Sequence, residues 1–143
     1  MNLHAILLPA LAHVALVFGL LFFMGARRLA AVRGREVRRS EISRGERAWP
    51  PAAQQASNAF SNQFELPVLF HALVILAILT RKADTLFVAM SWIFVVSRYV
   101  HAGVYVSSNR IPLRFGAYAI GAVTLLGMWA IFAVRILGTP LPA

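Results

Sequence analysis

The chain has 143 residues, of which 59% are hydrophobic and 13% charged, with a mean hydropathy of +0.70. The charges sit in short blocks between long apolar runs, which excludes a soluble globular domain and predicts a polytopic membrane protein. Most of the arginine behind the formal charge of +9 lies in one segment between apolar runs, so it reads as a topology signal rather than a nucleic-acid surface; the absence of cysteine excludes disulfides, thiolate metal sites and a protein thiol nucleophile.

The first apolar run, residues 3–24, is long enough to cross the hydrocarbon layer at about 1.5 Å per residue. No basic residue precedes it and Arg27 and Arg28 follow it, so it predicts an uncleaved span with its N-terminus outside. His13 lies mid-span, where a neutral imidazole bonded to a neighbouring helix is the plain expectation. Residues 25–51 form a basic segment with Arg27, Arg28, Arg33, Arg35, Arg38, Arg39, Arg44 and Arg47 against Glu36, Glu41 and Glu46. Its expected work is orientation and contact with anionic membrane lipid.

Trp49-Pro50-Pro51 stops one helix and allows another to start, and residues 52–80 form the second expected span. Its first half is polar. Asn58, Asn62 and Glu65 follow one stripe, and Pro67 predicts a local kink there because it lacks the N–H that would bond a carbonyl near Gln63. His71 lies deeper. Arg81, Lys82 and Asp84 make a short turn, and the third span, 85–106, carries Arg98, His101 and Tyr105 on one helical face. An arginine inside an apolar span is costly without a partner, so Arg98 is a candidate functional residue. Glu65, entering at comparable depth from the second span, is its expected ion-pair partner. Arg110, Pro112 and Arg114 lead into the fourth span, 115–137, whose Gly116, Gly121 and Gly127 permit close helix approach.

The basic residues divide unevenly between the two sides: ten fall in the segments after the first and third spans, and only Arg81, Lys82 and Arg135 on the other side. Both termini are therefore expected outside the cytoplasm. Thirteen of the fourteen basic residues are arginine and alanine is abundant, which points to a GC-rich bacterial source and to a bacterial inner membrane. The fold expected is all-α, a single four-helix membrane bundle. Several donors with one carboxylate at the cytoplasmic interface would suit an anionic, water-soluble cosubstrate meeting a lipophilic one.

Arg98-x-x-His101-x-x-x-Tyr105, followed by Arg110-x-Pro112-x-Arg114, resembles the third-helix and loop signature of the membrane-associated proteins in eicosanoid and glutathione metabolism, the MAPEG family. The nearest branch is that of microsomal prostaglandin E synthase and glutathione transferase. Asn62-Gln63-Phe64-Glu65 resembles the family's Asn-x-x-Glu motif. The resemblance implies a homotrimer that binds glutathione between subunits on the cytoplasmic side and acts on a lipophilic substrate. Carried over by position, it implies that Arg114 stabilises the glutathione thiolate and that Tyr105 and Arg110 line the site. By the same likeness Asn62 and Glu65 hold the peptide, and Arg98 and His101 support it. The chain departs from the pattern at Asn58 and Ser61, where arginines are usual or occur, at Pro67, which lies closer to the glutamate, and at Phe115, which replaces a small polar residue. Each charge-assisted hydrogen bond lost would cost about 1.5 to 3 kcal/mol of affinity.

Three functional readings follow. The first is a glutathione-dependent membrane transferase or peroxidase. The second, motivated by Asn58, is a non-catalytic membrane subunit or lipid-binding protein on the same fold. The third takes His13, His71 and His101 as axial haem ligands, which requires two imidazoles facing each other across the iron at one depth.

Overall fold

The computed structural model describes residues 2–37, 39–43 and 49–138; Arg38, Arg44, Glu46 and Arg47 of the basic segment lie outside the described residues. All regular structure among them is helical, in the order α1 (Leu3–Arg33), α2 (Arg39–Ser43), α3 (Pro51–Ser61), a 3-10 turn (Asn62–Phe64), α4 (Leu66–Leu79), α5 (Thr85–Val106) and α6 (Ile111–Leu137). Four stretches are long and apolar enough to cross a membrane: α1, the Pro51–Leu79 run through α3 and α4, α5, and α6. The chain is a multi-pass membrane protein.

Two helices extend past their apolar runs. α1 continues beyond Met24 to Arg33, because Arg-Arg-Leu-Ala-Ala-Val is a strong helix-forming sequence whether or not it is lipid-soluble. It stops at Gly34 and at Arg35, which has a left-handed φ of 57°. Much of the basic segment is therefore helix rather than loop. α6 likewise starts at Ile111 rather than at residue 115, with Pro112 in its first turn, where a missing N–H costs nothing.

The kink expected at Pro67 is a full break. α3 passes into the 3-10 turn, Glu65 takes a non-helical ψ of −107°, and α4 begins with Pro67 in its first turn. Side chains stabilise the main chain here: Asn62 Nδ2 donates to the Asn58 carbonyl at 3.0 Å and Gln63 Nε2 to the Ala59 carbonyl at 2.9 Å. Such local satisfaction is what lets a helix break at membrane depth.

Packing follows the size of the side chains. α3 buries Ala53, Ala56 and Ala59 at three-residue intervals, a narrow face that lets it lie close to α1 and α5. α5 and α6 form the most extensive pair. At Gly121 an added Cβ would come within 2.5 Å of Ser97 Oγ, so glycine there lets α5 approach with the Ser97 hydroxyl in place on the Phe94 carbonyl. The apolar core falls into two parts. Phe70 stacks on Phe94 at 4.7 Å in the larger part, and Leu20, Ala59 and Ala102 form the smaller one. Buried polar residues, His13, Gln63, Arg98 and His101, lie in and beside these parts.

Candidate functional site

The site is built at the end of the bundle that holds the α1–α3 connection and the α5–α6 turn. Arg98 of α5 has no exposed surface, and its Nε, Nη1 and Nη2 all lack a hydrogen-bond partner. Its guanidinium lies over the Tyr118 ring of α6, 5.0 Å from the centroid. The ion pair expected with Glu65 is not formed. Glu65 sits exposed at the helix break, and its charge reaches Arg98 through space only. The physical reason is the break: once the chain leaves α-helical geometry after Ser61, the stripe of Asn58, Asn62 and Glu65 no longer shares one face.

One turn along, His101 Nδ1 lies 2.9 Å from the Arg114 carbonyl. A carbonyl only accepts, so Nδ1 carries the hydrogen and Nε2 holds the lone pair. That Nε2 is buried and has no partner. The His101 ring lies edge-on to Tyr105 at 5.8 Å and tilted to Tyr118 at 5.7 Å. Arg114 stands over the Tyr105 ring at 4.2 Å, and its Nη1 donates to Asn109 Oδ1 at 2.6 Å. Four of the predicted site residues are thus linked in one cluster: Arg98 and His101 meet the Tyr118 ring, and His101 in turn meets Tyr105 and the Arg114 carbonyl. The others stand apart from that cluster: Arg110 is the exposed N-cap of α6, Asn62 is turned back onto α3, and Glu65 is at the break.

A second polar chain crosses the bundle. His13 Nε2 lies 3.2 Å from Gln63 Oε1, and His13 Nδ1 lies 3.1 Å from His71 Nε2. Gln63 Oε1 must accept, so His13 carries a hydrogen on Nε2, and one of the two imidazoles donates to the other across the 3.1 Å contact. This meets the expectation that His13 is bonded to a neighbouring helix. His13 and His71 touch directly, so no haem fits between that pair of imidazoles.

Tyr118, Asn109 and Gln63 were not singled out by sequence reasoning. Tyr118 carried a signal, lying one helical turn after Arg114 and so on the same face of α6. Asn109 sat in a turn where asparagine is ordinary, and its side-chain role was hidden. Beside the cluster, α5 and α6 leave an apolar groove of about 380 Å³ lined by Trp92, Val96, Ser97, Val100, Ala117 and Ile120. Arg28 of α1 packs over Trp49 at 5.0 Å and donates from Nη2 to Ser57 Oγ at 2.9 Å.

A four-span helical bundle with a buried guanidinium and a buried imidazole nitrogen that lack hydrogen-bond partners, beside an apolar groove, defines an integral membrane protein with a polar cluster inside its bundle. The chain belongs to the MAPEG family, whose model matches residues 6–134, most of its length. Comparison with functionally described proteins and with solved structures gave no significant match.

Proposed function

We propose that the chain is an integral membrane glutathione-dependent transferase or peroxidase acting on lipophilic electrophiles. The observation that carries this reading is Arg98, a fully buried guanidinium with three unsatisfied nitrogens. Among the described residues none neutralises it by contact, so an anionic ligand is the natural partner. His101 Nε2 adds an unsatisfied acceptor beside it. A ligand with both anionic groups and N–H or S–H donors meets both needs, and glutathione is of that kind. Membership of the MAPEG family supports the same cosubstrate.

In this reading Arg114 stabilises the thiolate, which is the reactive form of the thiol. Tyr105 and Arg110 line the site, Asn62 and Glu65 hold the peptide, and Arg98 and His101 support it. The sulfur forms a bond to the electrophilic carbon, and the leaving group departs with its electron pair. With a hydroperoxide, sulfur takes the terminal oxygen as the O–O bond breaks and an alcohol is released. A second glutathione then gives the disulfide and water. The basic end faces the cytoplasm, both termini lie outside, and neighbouring subunits of a homotrimer share the site.

A second reading, a non-catalytic subunit or lipid-binding protein, is favoured by Asn58. Its side chain accepts from Gln54 at 2.8 Å and contributes no charge. Against it stands Arg28, whose bond to Ser57 brings a guanidinium from α1 onto α3, one residue from Asn58 in the chain. Calorimetric titration of detergent-purified protein with glutathione separates the two. Saturable binding is expected for the wild type, with Arg114→Ala weaker by roughly one to two decades. Folded wild type that binds no glutathione would sink the transferase reading and favour the second.

A further inference from the structure

We propose that Asn109 is a positioning residue that fixes the direction of the Arg114 guanidinium and thereby sets how far a thiol bound beside it ionises. The inference rests on the reading of Arg114 as the thiolate's cation. Its starting point is that Asn109 does two separable things.

The first is a backbone task. α5 ends at Val106, and the chain must turn back within a few residues to begin α6 at Ile111. Asn109 takes a left-handed φ of 48°, and its N–H bonds the Val104 carbonyl at 2.8 Å, closing the last turn of α5. Glycine, asparagine and aspartate all tolerate that conformation. The backbone alone therefore does not call for asparagine.

The second task belongs to the side chain. Arginine has only donors, so the group 2.6 Å from Arg114 Nη1 is the amide oxygen of Asn109. Together with the Tyr105 ring 4.2 Å below, it holds both the end and the face of a side chain that would otherwise sample many rotamers. The platform is itself tied down: Gln55 Nε2 of α3 donates to the Tyr105 carbonyl at 2.6 Å, and His101 Nδ1 holds the main-chain carbonyl of Arg114. The amide is also neutral. It uses one N–H of the guanidinium while leaving the full positive charge and the remaining donors for an anion. A carboxylate at the same place would hold Arg114 equally well but cancel its field; glycine would keep the turn and release Arg114.

The test compares Asn109→Gly and Asn109→Asp with wild type, since both keep a residue suited to the left-handed turn. The first readout needs no glutathione: the rate at which phenylglyoxal modifies Arg114, read by peptide mass spectrometry in the detergent-solubilised full chain. Glycine is expected to raise that rate by up to about tenfold, the size of one lost hydrogen bond, and aspartate to lower it. The second is the ultraviolet absorbance of bound glutathione thiolate against pH. Both variants are expected to show less thiolate at a given pH, aspartate the more so, by about tenfold on the rising limb. A residue that only ends α5 would leave the glycine variant like wild type in both readouts, and that result overturns the proposal. If wild type binds no glutathione, the proposed function fails, and the labelling rates still decide whether Asn109 holds Arg114.

Discussion

At the scale of single residues, Arg98 separates a binding role from a structural one. A buried side chain kept for stability satisfies its hydrogen bonds, and leaving one unmade costs about 1 to 3 kcal/mol, more for a charged group. Arg98 leaves three nitrogens unsatisfied. Arg98→Met, which keeps length and removes charge, is therefore expected to leave the ligand-free protein as stable as wild type or stabilise it by about 1 to 3 kcal/mol. The same variant should lack the rise in melting temperature that the proposed glutathione site is expected to give the wild type on adding glutathione. Thermal unfolding in detergent with and without glutathione checks both, and a large destabilisation without ligand would make Arg98 a structural residue. The sequence made Arg98, His101, Tyr105 and Arg114 visible because helical spacing puts residues of one span on one face. It misplaced the Arg98–Glu65 pair because the break after Ser61 changes which face Glu65 shares, and spacing rules hold only while the helix does. Helical spacing places Tyr118 on the face of α6 that carries Arg114, but its contacts with Arg98 and His101, like the Asn109–Arg114 bond, depend on how α6 returns against α5, which no local pattern states.

At the scale of elements, the helices were legible from hydrophobic runs, while their ends were not. Apolarity marks where a chain meets lipid, whereas a helix ends where capping and backbone conformation stop it, so α1 runs on through Arg27 and Arg28. The turn between α4 and α5 shows how such an end is secured. Asp84 Oδ1 accepts the Phe87 N–H at 2.8 Å, capping α5, and Asp84 Oδ2 meets Arg135 of α6 at 2.6 Å. The bond from Arg135, then that from the Phe87 N–H, holds the Asp84 carboxyl below its ordinary value of 3.8. A depressed carboxyl contributes stability above its unfolded pKa and loses it as pH falls through the folded one, so the loss should come below about pH 4. Asp84→Asn keeps a good capping residue and removes the charge; its melting temperature is expected to vary less with pH over that acid limb than the wild type's. Asp84→Ala should lose the cap as well, about 1 kcal/mol further. Equal acid limbs in wild type and Asp84→Asn would remove the pair from any account of acid stability.

At the scale of the whole molecule, the apolar helix faces left uncovered decide how the bundle meets lipid or another copy of the chain. Lipid tails are as apolar as leucine, so exposed apolar surface does not by itself drive helices together in a membrane; close packing and polar bonds do. α6 is the span least covered by its own chain, with 17% of its most apolar window buried. With α4 it leaves a second apolar groove of about 410 Å³, lined by Leu66, Leu69, Ala122, Leu125 and Trp129. That surface meets lipid or a neighbour, and the two differ in what glutathione does to assembly. A ligand held between subunits binds the assembled state and must favour it by mass action, whereas a ligand held within one subunit leaves assembly unchanged. Native mass spectrometry of the protein released from detergent is expected to give three copies per particle, with the trimer persisting to greater dilution when glutathione is present. A single copy that binds glutathione as tightly as the assembled protein would refute the shared site, and the buried charge of Arg98 would then have to be met by ligand within one bundle.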